Sequence, residues 1–106
     1  FKQLCVDLGE DGTMLALKKI SPTRLIKNEL FAKIAEAESR GAEADELREL
    51  LGRAASKRGI FEGDLEHGEL EIGQIASTIK EVKPVAQIMH ELITDFHTTQ
   101  SKIQTL

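Results

Sequence analysis

The sequence has 106 residues, 41% of them hydrophobic and 30% charged. That balance belongs to a globular domain or part of one, not to a disordered chain. Fourteen Lys and Arg stand against eighteen Asp and Glu, a net charge of −4, and the only aromatic residues are four Phe, so neither the electrostatics nor the stacking surface of a nucleic-acid binder is present.

No apolar run approaches the ~20 residues that span a bilayer, and the opening residues do not read as a secretory leader. A single cysteine, Cys5, makes neither an intrachain disulfide nor a thiolate zinc site. The cytoplasm is the expected compartment. The sequence opens on Phe1 and not on an initiator Met, so the expectation is that either something was removed or this is a piece of a longer protein. A compact monomer of 11.7 kDa is expected to expose roughly 5,900 Å².

In chain order, Phe1, Leu4 and Leu8 share a helical face that Gly9-Glu10-Asp11-Gly12 ends in a tight loop. A short strand is expected near residues 13–18, where Met14 to Leu17 run apolar, and Ser21-Pro22 stops it. Ser21 is expected to cap a short helical turn over 23–27, with Asn28 as a second cap candidate. Leu30, Ile34 and Ala37, with Phe31 beside them, then recur at helical spacing, and Gly41 ends that helix in a left-handed cap. Residues 43–57 read as a second amphipathic helix with Ala44, Leu47, Leu50 and Leu51 inward, which makes residues 21–58 a helical hairpin subdomain.

Residues 59–68 form a glycine-rich loop. Gly59, Gly63 and Gly68 imply unusual dihedrals or close backbone approach. Helix is expected again from Glu69, with Leu70, Ile72, Ile75, Ala76 and Ile79 on one face and Gly73 as an unexplained interior glycine, which costs about 1 kcal/mol relative to Ala. Pro84 opens the last helix, whose stripe of Val85, Ile88, Met89, Leu92 and Phe96 reads as core-facing. The chain is thus mainly α, with four or so helices and one short strand.

No motif carries chemistry by itself. His90 and His97 lie seven residues apart, too far to bridge one ion on a single helix, and His67 is remote in sequence. Cys5 reads as core, and no serine sits in a nucleophile elbow. The pairs Glu36/Glu38, Glu43/Asp45 and Glu69/Glu71 read as solvated faces. Lys18, Lys19, Arg24 and Lys27 fall in a stretch without acidic residues, which serves either to balance the acidic helices or to bind an anion, such as a substrate phosphate or a carrier protein. Arg53, Lys57 and Arg58 form a second basic group.

Two stretches carry a resemblance. Asp11-Gly12-Thr13-Met14-Leu15-Ala16-Leu17-Lys18-Lys19, followed by Pro22 to Asn28, and above all Gly63, Asp64, Gly68, Gly73, Gln74 and Ala76 in a G-D-x-x-x-G-x-x-x-x-G-Q-x-A arrangement, resemble the C-terminal region of the NAD(P)H-dependent flavin oxidoreductases. That family comprises the nitronate monooxygenases (2-nitropropane dioxygenase-like) and the flavin-dependent enoyl-acyl-carrier-protein reductases. The resemblance implies a parent that is an FMN-binding (β/α)8 barrel, with its catalytic residues and phosphate loops upstream of this chain. Residues 1–20 would then be the end of a barrel helix plus the strand, and 69–106 the C-terminal helices returning against the barrel.

The resemblance also places Ile72, Gly73 and Gln74 at the flavin. It implies FMN and NAD(P)H as cofactors of the parent, and no cofactor or turnover for the isolated segment. The implied partners are the remainder of the barrel and an acyl-carrier-protein or CoA thioester substrate; the isolated segment, its apolar faces left without partners, is expected either to form a homodimer or to be poorly stable. A basic 52–58 stretch poorer in glycine than in close relatives, and His67 at a commonly acidic position, leave the substrate open. The competing reading is a stand-alone helical protein-interaction or dimerisation module with no cofactor, against which the glycine-rich loop argues.

Overall fold

A computed structural model describes residues 1–106. Helix accounts for 53% of the residues, so the mainly α expectation holds, with a two-stranded sheet inserted. The elements are α1 (Lys2–Val6), β1 (Thr13–Ala16), β2 (Thr23–Ile26), α2 (Glu29–Ser39), α3 (Ala44–Leu51), a π-helical turn (Lys57–Phe61), a 3-10 turn (Gln74–Thr78) and α4 (Val85–Gln104).

The strand expected near 13–18 is β1. Its partner is the first correction. Residues 23–27 are not a helical turn; Thr23–Ile26 is a strand, paired antiparallel with β1 from Thr13↔Ile26 to Ala16↔Thr23. On the other edge of β2 the chain returns as a third, strand-like segment. Ile26 N–H donates to Leu70 O at 2.9 Å, Ile72 N–H donates to Arg24 O at 3.1 Å, and Leu25 bridges Glu71. Partners forty-odd residues away thus overrule the local Ser-Pro helix signal.

The same pairing supplies the second correction. Residues 69–73 are extended, not helical, and only Gln74–Thr78 coils, as a 3-10 turn. Leu70 and Ile72 lie on the alternating period of a strand as well as on a helical face, and backbone pairing with β2 decides between them. Gly73 is therefore not an interior helix glycine, and the residues after 69 contain one α-helix, not two.

Within residues 21–58, α2 and α3 pack against each other as a helical hairpin, preceded by β2. Asn28 caps α2, its side-chain oxygen accepting from Phe31 N–H at 2.9 Å, and Gly41 follows the helix at φ +82°. The second helix is shorter than the expected 43–57, because Gly52 at φ +72° stops it. Leu47 is buried, whereas Leu50 faces solvent. Ala16, Leu17, Leu25, Leu30, Ile34 and Leu47 anchor the larger core, and Cys5, Ile26 and Leu70 a smaller one under α1.

The glycine-rich loop closes this unit by close approach, as its composition implies. A Cβ on Gly68 would fall on Gly59 Cα, and one on Gly59 would meet Glu69 O at 2.8 Å. Asn28 Nδ2 donates to Gly68 O at 2.9 Å and Leu65 O at 3.1 Å, tying the loop to the start of α2.

The stripe on α4 is the third correction. It faces no core: Val85, Ile88, Met89, Leu92 and Phe96 are all exposed, and no other helix or strand packs along α4. The accessible surface is 7522 Å², well above the roughly 5,900 Å² of a compact monomer of this mass. The radius of gyration is 17.7 Å, against about 13 Å for a compact chain of this length.

Candidate functional site

Ile72, Gly73 and Gln74 lie where the third strand-like segment leaves β2. The Ile72 backbone is fixed by its bond to Arg24 O, and its side chain packs against the smaller core. Gly73 is extended (φ −75°, ψ 152°) and precedes the 3-10 turn, its carbonyl accepting from Ala76 N–H at 3.1 Å. A Cβ placed on Gly73 would meet nothing nearer than Ile75 Cγ2 at 4.0 Å. Neither dihedral strain nor packing within the chain thus calls for glycine here, unlike at Gly59 and Gly68. Gln74 is exposed and holds an amide donor and acceptor with no hydrogen bond to its own chain.

Beside Ile72 an apolar groove of about 270 Å³ runs between α1 and the entry to α4, with Cys5, Val6, Ile79, Val82 and Val85 among its walls. Cys5 is buried, and burial pushes its thiol pKa up. It is therefore not a thiolate nucleophile at neutral pH.

The groove ends at an ion cluster. Lys83 Nζ lies 2.7 Å from Glu91 Oε2 and 3.3 Å from Glu81 Oε1, and Gln87 Nε2 donates to Glu91 at 2.9 Å. The hydrogen bond to Glu91, then that to Glu81, holds the Lys83 ammonium above its ordinary pKa. The bond from Lys83, then that from Gln87, holds Glu91 below the usual carboxylate value. Sequence reasoning missed this cluster; the Gln87/Glu91 spacing across one helical turn was the signal available.

The other singled-out residues do structural work. Lys19 pairs with Glu43 at 2.6 Å, Lys57 with Glu62 at 3.3 Å, and Arg24 donates to Thr13 Oγ1 at 3.1 Å. Of the basic residues singled out, Lys19 and Lys57 are thus paired with carboxylates within the chain, and Arg24 is held by a hydroxyl. Ser56 Oγ lies 2.7 Å from Glu69 and 2.9 Å from Glu71, and its one proton serves one carboxylate at a time. No group of three or more His, Cys, Asp or Glu side chains gathers as a metal site would require, and no helix is long and apolar enough to cross a membrane.

No family model and no curated protein matches the sequence. Solved structures do. The chain is similar to FabK from Thermotoga maritima at 30% identity, with a TM-score of 0.81 over 96% of this chain and 32% of that one. It is similar to a point mutant of the same protein at 27% identity and a TM-score of 0.70, over 96% of this chain and 29% of that one. The chain therefore spans about a third of the length of the solved structures it matches, and what it shares with them is a FabK-like segment.

Proposed function

We propose that the chain is the C-terminal part of an FMN-dependent, NAD(P)H-using oxidoreductase. FabK is a flavin-dependent enoyl-acyl-carrier-protein reductase, and enoyl thioesters are the favoured substrate class, with nitronates the other class that the family resemblance implies. The supporting observation is the FabK likeness, which covers nearly the whole chain at 30% identity. In this reading the remainder is a cytoplasmic (β/α)8 barrel that carries the catalytic residues, and this segment covers the mouth of the active site.

The residues present fit one edge of a flavin. Gly73 offers open backbone, with no side chain between it and an approaching ring, Gln74 offers an amide donor and acceptor, and Ile72 an apolar wall. When bound, the flavin supplies the hydride transfer. Ile72 would exclude water from one side of the ring and Gln74 would orient its polar edge, while β2 holds the extended 69–73 segment in place.

The full open reading frame, once purified, should be yellow, with about one FMN per chain. A colourless product that binds no FMN would overturn the proposal. At the contact itself, Gln74→Ala should weaken FMN binding by up to about tenfold, the value of one hydrogen bond. Gly73→Ala should lower flavin occupancy yet raise stability slightly, since φ −75° suits alanine; the gain is about 0.4–1 kcal/mol. An unchanged FMN titration in both variants removes these residues from the site. A cofactor-free interaction module shares the exposed face of α4, but it gives no reason for the FabK likeness.

A further inference from the structure

Resting on the reading above that Ile72–Gln74 borders a flavin, we infer that Glu71 selects substrates there by charge. It turns anions away and admits uncharged molecules, so that of the two substrate classes the enoyl thioester fits and the nitronate does not.

The position of Glu71 follows from the strand. Residues 69–73 are extended and held to β2 by the bond from Ile72 N–H to Arg24 O and the bridge between Leu25 and Glu71. Along an extended chain alternate residues share a face and stand about 7 Å apart. Leu70 and Ile72 take the inner face and pack in the smaller core. Glu71 and Gly73 therefore share the outer face, and both are exposed. Gly73 is the open backbone that a ring would approach, so the Glu71 side chain stands beside that approach.

Its charge is held in place and left uncancelled. Ser56 Oγ lies 2.9 Å from Glu71 Oε1 and 2.7 Å from Glu69 Oε2. Glu69, which its sequence context put on a solvated face, is in fact buried, and its N–H donates to Ala55 O at 3.0 Å. The hydroxyl that orients Glu71 is thus itself tied to a fixed group. One hydroxyl proton does not neutralise two carboxylates, and neither glutamate takes part in any ion pair of the chain. Lys57, next to Ser56 in sequence, pairs with Glu62 instead. The face that Gly73 leaves open is therefore bordered by negative charge.

Charge is also what separates the two substrate classes. A nitronate is an anion whose charge is spread over the nitro oxygens and the reacting carbon. An α,β-unsaturated thioester is neutral along its reacting C=C–C=O. A unit charge about 7 Å from another, at a partly solvated surface, changes affinity by about fivefold, whereas against a neutral group it changes little.

The test uses the FMN-loaded protein of the full reading frame, as wild type, Glu71→Gln and Glu71→Asp. The glutamine keeps the shape of the side chain and the aspartate keeps its charge. The probes are crotonate and crotonamide, which share the enoyl skeleton and differ in charge, titrated against the flavin absorbance without turnover. Glu71→Gln should raise the affinity for crotonate relative to crotonamide about fivefold. Glu71→Asp should stay close to the wild-type ratio, and high salt should narrow the gap between wild type and Glu71→Gln. The ratio of kcat/KM for the nitronate of 2-nitropropane to that for the crotonyl thioester of N-acetylcysteamine should move in the same direction. An unchanged affinity ratio in a Glu71→Gln protein that still binds FMN overturns the assignment of Glu71 and leaves the flavin reading standing. A wild type that binds no FMN overturns that reading, and the assignment falls with it.

Discussion

Residues 1–76 and residues 77–106 are built from similar amino acids and end in opposite states. Every buried residue lies between Cys5 and Ala76. The last thirty residues contain the longest helix, with a stripe as apolar as that of α2, yet none of them is buried. In α2, Leu30, Ile34 and Ala37 meet α3 and the sheet; in α4, Leu92 and Phe96 meet solvent. Amphipathic spacing states that a helix has a greasy side, but it does not state where the complementary surface resides.

The sharpest way to break this contrast is a pair of truncations in the isolated chain. Leu47→Ala removes a fully buried side chain and should cost about 2–5 kcal/mol, while Leu92→Ala should shift the thermal midpoint of the core by less than the error of the scan. Equal losses would show that α4 is packed after all. Next in size is Gly68→Ala. Its Cβ would strike the Gly59 backbone, which has no rotamer to yield, so a loss of about 1–3 kcal/mol is expected from overpacking. A neutral result in chemical denaturation would mean that the loop does not close on itself.

Asn28→Ala removes the cap of α2 and both bonds to the glycine-rich loop. About 1–2 kcal/mol should be lost, and Asn28→Asp should recover the cap but not the loop bonds. Urea melts of the two variants separate those contributions.

The smallest effect is pH-dependent and confined to the base of α4. Glu91 is held below its ordinary pKa, so the stabilisation it provides is complete above the unfolded carboxylate value and disappears as pH falls through the depressed one. Lys83 is held above its ordinary pKa, so its stabilisation is complete below the unfolded lysine value and disappears as pH rises through the raised one. The clamp therefore spans the whole neutral range. Amide exchange at Ile88 to Glu91 should quicken only at the acid and alkaline extremes, and high salt should narrow the difference, since Lys83 and Glu91 are only half-buried. A break near pH 7 would contradict it.

Local signals in the sequence determined the elements that need only local physics. Asn28 before α2, Gly41 after it, Pro84 ahead of α4 and Gly63 at φ +83° each follow from one residue's dihedral or hydrogen-bonding habits, whereas Gly59 and Gly68 answer to each other's backbone across the loop. The notable failures, Thr23–Ile26 read as a helical turn and residues 69–73 read as helix, are the two segments that pair with each other. Each was ambiguous alone, and backbone hydrogen bonds between distant partners resolved both as extended. The candidate contact at Ile72–Gln74 was legible as a motif, but its glycine was misplaced inside a helix. Only the tertiary structure shows that Gly73 is extended, unstrained and open to approach. The sequence by itself determined which residues are apolar and at what period. Only the tertiary structure decided which of those surfaces meet, because burial is a property of two surfaces and a periodic stripe describes just one.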